Sequence, residues 1–225
     1  KYDSICGVSY QTSKSFQTIF PEIAEKVQTI ENILPSKLIV KQSCLKQDDM
    51  WSGNSISLLS IGRFCEAKNF DNIPDICRRI MRAGLNVKWY LIGYGGDEER
   101  IRQKIAESGM QERVIILGKK NNPYPYMRAC DLYVQPSRYE GKAVTVREAQ
   151  LLGKPVVITK YATSSSQLED NIDGIIVPMD NAGCAKGIID LLREPERMKK
   201  LSEHCAKRDY TNNAEIEKIY ALMED

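Results

Sequence analysis

Residues Ser137 to Val157 read SRYEGKAVTVREAQLLGKPVV and are the most informative stretch of this chain for predicting its fold. The stretch follows one short apolar run and enters another at Pro155, and its middle predicts one helix of about ten residues. Gly153 is a natural left-handed cap for the end of that helix. A strand, a helix and a second strand in this order predict a parallel unit with a right-handed crossover.

Five short apolar runs are spread along the chain from residue 55 onwards. Each is four to six residues long, as expected of parallel strands that are buried on both faces. The runs are Ile56 to Ile61, Val87 to Ile92, Val114 to Leu117, Asp131 to Val134 and Pro155 to Ile158. Helical patterns alternate with them, with Gly84 as a helix end and Asp180 and Pro195 as helix starts. The pattern predicts an α/β fold: a Rossmann-like, doubly wound parallel sheet with helices on both faces.

The N-terminal part differs from the rest. Ser4 to Ser9 reads as a strand, Thr12 to Phe20 as a short helix and Lys26 to Ile30 as a second strand, whereas Asn32 to Trp51 resembles a connector. We therefore predict three parts: a strand–helix–strand unit at 1–35, a connector at 36–54 and a large domain at 55–225.

Composition excludes several classes of protein. The 225 residues are 42% apolar and 28% charged, as in an ordinary globular protein. The net charge is only +2, so the protein has no strong overall electrostatic field that would indicate nucleic acid as a partner. Seven cysteines, none in a Cys-x-x-Cys pair, are typical of a reducing compartment and argue against a disulfide framework or a zinc cluster. The single histidine, His204, reads as a solvated helix residue. No apolar run reaches the ~18 residues of a membrane span, and we expect a cytoplasmic location.

The turn before the predicted helix is a candidate anion site. Ligands of doubly wound sheets bind beyond the carboxyl ends of the strands, where this helix N-terminus points. Its free N–H groups favour a phosphate, Gly141 allows a close approach, and Lys142 adds a cation.

Glu140 and Glu148 bracket this turn with seven residues between them. Carboxylates repel a phosphate, but they accept hydrogen bonds from the hydroxyl groups of a ribose or a sugar. From the spacing alone, two solvated surface carboxylates are the simpler alternative.

Two cations follow the first strand of the large domain at the same edge of the predicted sheet. Arg63 comes directly after Gly62, and Lys68 lies five residues further on. Both could bind phosphate oxygens, and an ordinary solvated pair is the alternative. Gly93-Tyr94-Gly95-Gly96 lacks the third glycine of a dinucleotide fingerprint, since position 98 is Glu, so it predicts a tight strand-to-helix turn.

As a set, these motifs resemble the retaining GT-B glycosyltransferases of family 4, the "group 1" glycosyltransferases. Glu140 and Glu148 match the family's Glu-x7-Glu motif, and the resemblance runs from about Ser55 to Leu192. Its other elements match in order and spacing: Gly62-Arg63 with Lys68, Asn122 to Met127, Ala129 to Val134, Gly153 to Val157 and Asn171 to Pro178. Residues 1–35 look like the last strand–helix–strand of the family's N-terminal acceptor domain, and 36–54 like its connector.

The resemblance implies the role of each site residue. Arg63 and Lys68 would bind the donor diphosphate and act in catalysis, Glu148 would bind the ribose, and catalytic Glu140 would face the transferred sugar. The remaining donor-binding residues would be Gly62, Gly118, Lys119, Gly141, Lys142, Ala143 and Val144, with the base beside Gly118-Lys119. Members use no metal or other cofactor, and the donor would be a nucleotide-diphosphate sugar, UDP-linked, that gives its sugar with retention to a polysaccharide or lipid-linked acceptor.

Two departures leave the donor's identity open. Lys142 stands where many members carry an aromatic residue, and in this the chain resembles a bacterial surface-polysaccharide subgroup; Gln167 lies near where many members carry a glutamate. A nucleotide-sugar epimerase of GT-B fold and a nucleotide-binding module without catalysis are the alternatives. The acceptor would bind the absent N-terminal domain, so the fragment is expected to be inactive alone. Peripheral association of the full enzyme with the inner face of the cell membrane, and self-association of the fragment, are compatible with this interpretation.

Overall fold

The computed structural model describes residues 3–47, 51 and 53–224 and contains two parallel sheets. The strands are β1 (Ile5–Gly7), β2 (Val27–Thr29), β3 (Ile56–Ile61), β4 (Val87–Ile92), β5 (Val114–Gly118), β6 (Leu132–Gln135), β7 (Val156–Thr159) and β8 (Ile175–Val177). The α-helices are α1 (Tyr10–Ile19), α2 (Ser36–Ser43), α3 (Ile73–Arg82), α4 (Glu98–Glu107), α5 (Tyr124–Ala129), α6 (Val144–Leu151), α7 (Ser164–Gln167), α8 (Asn181–Leu192), α9 (Pro195–Lys207) and α10 (Glu215–Glu224). Short 3₁₀ turns lie at Pro21–Lys26, Glu66–Lys68 and Phe70–Asn72.

The large sheet has the order β5-β4-β3-β6-β7-β8, and all of its pairs are parallel. This is the order of a Rossmann-type sheet, in which the chain winds outwards in both directions from β3. Every one of the five predicted strands is present, displaced by one residue at most. The predicted fold class is therefore confirmed. The order reverses between β3 and β6, so a crevice is expected beyond the carboxyl ends of these two strands.

Both faces of this sheet are covered, as the continuous apolar runs predict. Leu58 and Leu59 are adjacent in β3 and fully buried, yet they belong to separate hydrophobic cores on opposite faces of the sheet. A buried polar chain crosses the strands: Trp89 donates from Nε1 to Ser60 Oγ at 2.9 Å, and Ser60 donates to the carbonyl of Val134. The buried Trp89 Nε1 and Ser60 Oγ are thus both satisfied.

The predicted helix boundaries are confirmed where a cap defined them. Asp180 accepts a hydrogen bond from the N–H of Gly183 at 2.8 Å and begins α8. Gly84 and Gly153 follow α3 and α6 with φ of 87° and 69°, the left-handed conformation of a helix end. Pro195 opens α9.

The N-terminal segment, residues 3–35, is a β1–α1–β2 unit, as predicted, and β1 and β2 form the small sheet. The predicted connector contains one helix, α2, which packs against α5. Ile39 is fully buried there, but eight residues with few apolar positions give no helical period to read. Residues 48–50 and 52 of that predicted connector lie outside the described residues. The two boundaries between the three predicted parts remain predictions.

The last helix returns to the N-terminal segment. Leu34 donates its N–H to the carbonyl of Thr211, and Glu31 donates its N–H to Glu215 Oε2 at 3.0 Å. Lys218 reaches the carbonyl of Thr29. The linker after α9 and the first turns of α10 therefore contact residues 29–34.

In the part of the chain that the structure describes, no helix is both long and apolar enough to cross a membrane.

Candidate functional site

A cleft of about 280 Å³ lies at the carboxyl ends of β3, β4 and β5. It is lined by Ile61, Gly62, Arg63, Ile92, Gly93, Tyr94, Lys119, Lys120 and Pro123. Three of the predicted donor-binding residues, Gly62, Arg63 and Lys119, are thus brought together from two separate loops. Gly118, the last residue of β5, adjoins the cleft with a φ of 71°.

Two glycines bring the backbones of neighbouring loops together at the floor of this cleft. A Cβ on Gly93 would lie 1.9 Å from the carbonyl oxygen of Gly62, and one on Gly95 would lie 2.2 Å from that of Phe64. Gly93 also donates its N–H to the carbonyl of Gly118 at 3.0 Å. The Gly93-Tyr94-Gly95-Gly96 motif is therefore a close-packed turn, as predicted.

Cationic side chains surround the mouth of the cleft. Lys119 Nζ lies 5.2 Å from the ring centroid of Tyr94, a ring that is 55% exposed. Arg63 is exposed and makes no hydrogen bond or ion pair with any other described residue. Tyr94 was missed in the sequence, although its position between two glycines at a strand end could have indicated it. The arrangement leaves an aromatic face and a positively charged rim available to a ligand.

Lys68 connects the cleft to the neighbouring loop. Its side-chain stem passes over Gly62, where a Cβ would lie 3.2 Å from Lys68 Cε. Its ammonium nitrogen lies 2.5 Å from Glu140 Oε1, and both side chains are largely buried. The same oxygen accepts hydrogen bonds from Ser137 Oγ at 2.6 Å and Gln135 Nε2 at 3.3 Å. Lys68 and Glu140 therefore meet across the crevice between β3 and β6.

The loops that carry this pair are bound to each other. Arg138 donates its N–H to the carbonyl of Ala67 at 2.8 Å, and its guanidinium binds the buried carboxylate of Asp71 at 3.2 Å. Asn69 donates from its side chain to the carbonyl of Pro136 at 2.9 Å. Neither Asp71 nor Asn69 was identified from the sequence, because neither belongs to a motif. Together these contacts fix the turn of Lys68 against the loop of Glu140.

The 140–143 turn, residues Glu140 to Ala143, precedes α6 and is held by the loop after β7. Thr163 Oγ1 donates to the carbonyl of Glu140 at 2.6 Å, and the N–H of Ala143 donates to Gln167 Oε1 at 2.7 Å. This corrects one expectation, because the N–H of Ala143 is not free for a ligand. Within the described residues, the N–H groups of Gly141 and Val144 have no hydrogen-bond partner. They remain available at the start of α6.

Lys142 was expected to add a cation to the ligand, and its geometry contradicts that expectation. The ammonium group lies 2.5 Å from Glu31 Oε1 in the N-terminal segment, and the side chain is only 4% exposed. Burial lowers the pKa of Lys142, although the hydrogen bond that its ammonium group donates to Glu31 partly offsets this effect. Glu31 lies 111 residues away in the sequence, so no local pattern could reveal the pair.

Glu148 lies on α6 and accepts a hydrogen bond from the hydroxyl of Tyr124 at 2.9 Å. Tyr124 follows Pro123, a wall residue of the cleft, so this bond ties Glu148 to the cleft. Burial raises the pKa of Glu148 above its ordinary value, and the bond from Tyr124 opposes the rise.

Among the described residues, no cluster of three or more His, Cys, Asp or Glu side chains is arranged to hold a metal ion.

The fold and the site together define an α/β domain of Rossmann type, with a crevice at the switch point of its sheet. The chain belongs to the family of glycosyl transferases group 1, whose family model matches residues 45–208. The resemblance seen in the sequence is therefore confirmed.

Relatives with known names are glycosyltransferases. The chain is 27% identical over 151 residues to the N-acetylgalactosamine-N,N'-diacetylbacillosaminyl-diphospho-undecaprenol 4-alpha-N-acetylgalactosaminyltransferase of Campylobacter jejuni, a match that covers 67% of this chain and 40% of that protein. Three of the curated relatives are covered over 37–42% of their length, so this chain spans about two fifths of such proteins.

Solved structures show the same fold. A mutant of S. aureus TarM, in a complex that includes UDP, superimposes with a TM-score of 0.82 at 19% identity, covering 99% of this chain and 44% of that one. Anabaena HepE in complex with UDP gives a TM-score of 0.80 at 18% identity, covering 99% of this chain and 64% of that one. The GT-B type of sheet and helix arrangement predicted from the sequence is thus shown.

Proposed function

We propose that this chain is the donor-binding part of a retaining hexosyltransferase that uses a nucleotide-diphosphate sugar. The observation that carries the proposal is the contact between Lys68 and Glu140 at the switch point, beside a cleft whose rim is cationic. A cation and a carboxylate at one point suit a donor whose diphosphate is anionic and whose sugar presents hydroxyl groups.

The cleft fits the nucleoside of such a donor. The base would lie beside Gly118 and Lys119, near the exposed ring of Tyr94, and Glu148 would accept hydrogen bonds from the ribose hydroxyls. UDP is proposed as the nucleotide because the similar structures of TarM and HepE are complexes that contain UDP.

The diphosphate would lie between the cleft and the start of α6. Arg63, Lys68 and the free N–H groups of Gly141 and Val144 are the groups that favour negative charge there. As the bond between sugar and diphosphate breaks, charge grows on the leaving phosphate, and preorganised cations stabilise it without a metal ion. Glu140 would face the sugar, and Ser137 and Gln135 orient its carboxylate.

The acceptor side of the reaction would involve residues outside this chain. The Campylobacter relative is named for a diphospho-undecaprenol acceptor, which supports a lipid-linked or polysaccharide acceptor. We propose that the whole enzyme works in the cytoplasm, at the inner face of the cell membrane, and that retention of configuration follows the family.

Calorimetric titration with UDP, GDP and ADP, in the presence of EDTA, tests the donor proposal. We expect UDP to bind, and Lys68→Met to weaken it about tenfold or more, since a charge-assisted contact contributes about 1.5–3 kcal/mol. Lys186→Met is the matched control, because Lys186 forms an exposed pair with Asp190 on α8. Wild-type protein that binds no nucleotide, or equal affinity in both variants, would contradict the proposal.

A further inference from the structure

Glu31, which lies just after β2, holds two cations of the large domain at once. Its Oε1 binds Lys142 Nζ at 2.5 Å, and its Oε2 accepts a hydrogen bond from Asn212 Nδ2 at 3.2 Å and lies 3.7 Å from Arg147 Nη2. Both oxygens of the carboxylate therefore contact residues of the large domain: Lys142 lies just before α6, Arg147 on α6 and Asn212 just before α10.

The side chain of Lys142 is buried and that of Arg147 is largely buried, so each depends on its partner. The side chains of Lys142 and Arg147 are 4% and 17% exposed, and Arg147 Nε has no hydrogen-bond partner among the described residues. A buried ammonium group that loses its carboxylate must move towards water or lose its proton. Since Lys142 belongs to the 140–143 turn, a movement of its side chain displaces the backbone beside Gly141.

The rest of the turn shows why this contact matters. The ends of the turn, Glu140 and Ala143, are held by Thr163 and Gln167. Its middle lacks such support, because no described residue accepts a hydrogen bond from the N–H of Gly141 or Lys142. Gly141 instead lies against Val8 of the N-terminal segment. A Cβ added to Gly141 would stand 3.5 Å from Cγ2 of Val8.

We infer that Glu31 is a positioning residue, which acts through Lys142 to set the backbone of the 140–143 turn for the donor diphosphate. This inference rests on the proposed function, which assigns the N–H of Gly141 to that diphosphate. The N-terminal segment and the nucleotide are then coupled: any shift of Glu31 changes the donor site, and donor binding favours the arrangement in which the pair is formed.

A double-mutant cycle with UDP as the probe tests the coupling. The variants are Glu31→Gln, Lys142→Met and the combination of both, each titrated calorimetrically at a temperature at which circular dichroism shows the fold intact. We expect Glu31→Gln to lower UDP affinity on the order of tenfold, which lies within the usual range of coupling between two sites. The double variant should recover much of that loss, because the buried ammonium group is removed with its partner.

Two further variants separate positioning from folding. Glu31→Asp keeps the charge and should retain more UDP affinity than Glu31→Gln, although both alter the packing. Asp190→Asn breaks an exposed pair with Lys186 and should leave UDP affinity unchanged. A purely structural role would lower the melting temperature of the Glu31 variants without this pattern in affinity.

The outcomes distinguish this inference from the proposed function. If the wild-type chain binds no nucleotide, the proposed function fails. If it binds UDP and Glu31→Gln binds equally well, or if the losses of the single variants simply add in the double variant, the positioning role of Glu31 is overturned while the donor site stands.

Discussion

The ammonium nitrogen of Lys68 lies 2.5 Å from Oε1 of Glu140, and the two residues belong to loops that follow adjacent strands, β3 and β6. In the sequence, one residue was predicted to bind a diphosphate and the other to face a sugar. The structure shows that they share one hydrogen bond. If a donor enters the crevice as proposed, it would meet a preformed pair, whose carboxylate is oriented by Ser137 and whose ammonium group is already placed.

The two glutamates are predicted to have separable roles. Glu148→Ala should weaken both UDP and a UDP-sugar, because the ribose is common to the two ligands. Glu140→Ala should spare UDP and damage sugar transfer in the complete enzyme. Calorimetry with UDP on both variants checks the first half of this prediction, and equal losses of UDP affinity would show that the division between ribose and sugar is wrong.

Tyr124→Phe is predicted to raise the pKa of Glu148 further. Burial already raises this pKa above its ordinary value, and the hydroxyl of Tyr124 opposes the rise by stabilising the carboxylate. Removing the hydroxyl leaves burial unopposed. A ¹³C NMR titration of the Glu148 carboxyl group should show its midpoint at a higher pH in Tyr124→Phe than in the wild-type chain. An unchanged midpoint would mean that the hydrogen bond does not form in solution.

The same shift has a consequence for stability. A carboxyl group whose pKa is raised by folding favours the folded state most at pH values below its unfolded pKa, and this contribution is lost as the pH rises through the folded pKa. Glu148→Gln removes the ionisation. Urea unfolding is measured from about pH 4 to about pH 8, a range that begins near the pKa of ~4.3 of an unperturbed glutamate. The stability of the Gln variant should improve relative to wild type as the pH rises. A constant difference would contradict the raised pKa.

Gly93→Ala is predicted to destabilise the fold strongly. A methyl group there would lie 1.9 Å from the carbonyl oxygen of Gly62, so the β3 and β4 loops would have to separate. We expect a cost of about 3 kcal/mol or more, seen as a loss of roughly 6 °C or more in Tm. Gly96→Ala is the control, because nothing lies within 4 Å of the added methyl group. Equal melting temperatures for the two variants would refute the close approach.

Asp173→Asn is predicted to weaken the attachment of the C-terminal helices. The carboxylate is 2% exposed and accepts hydrogen bonds from Arg208 at 2.9 Å, Tyr210 at 3.2 Å and the N–H of Glu169 at 2.7 Å. Loss of a buried charge that several donors share costs about 3 kcal/mol. Urea unfolding measures this cost, with the exposed Asp190→Asn as the control. A cost below ~0.5 kcal/mol, as on an open surface, would show that Asp173 is not the anchor.

Local sequence patterns were enough to predict the sheet and the edge at which the candidate site lies. Continuous apolar runs such as Val87 to Ile92 identify strands buried on both faces, and Gly84 and Gly153 mark helix ends. These signals are local: each depends on a backbone conformation or on burial within a few residues, and so survives in the one-dimensional chain. The positions of Glu140 and Glu148 around a turn were legible for the same reason.

The tertiary structure alone decided which polar groups meet. Ala143 gives its N–H to Gln167, 24 residues away, Lys68 reaches Glu140 across 72 residues, and Lys142 turns away from the crevice to Glu31 across 111 residues. A lysine or an N–H group next to a crevice can bind a ligand or a protein partner. The choice depends on which carboxylate or amide the folded chain brings within hydrogen-bond distance, and on whether burial then makes that pairing obligatory.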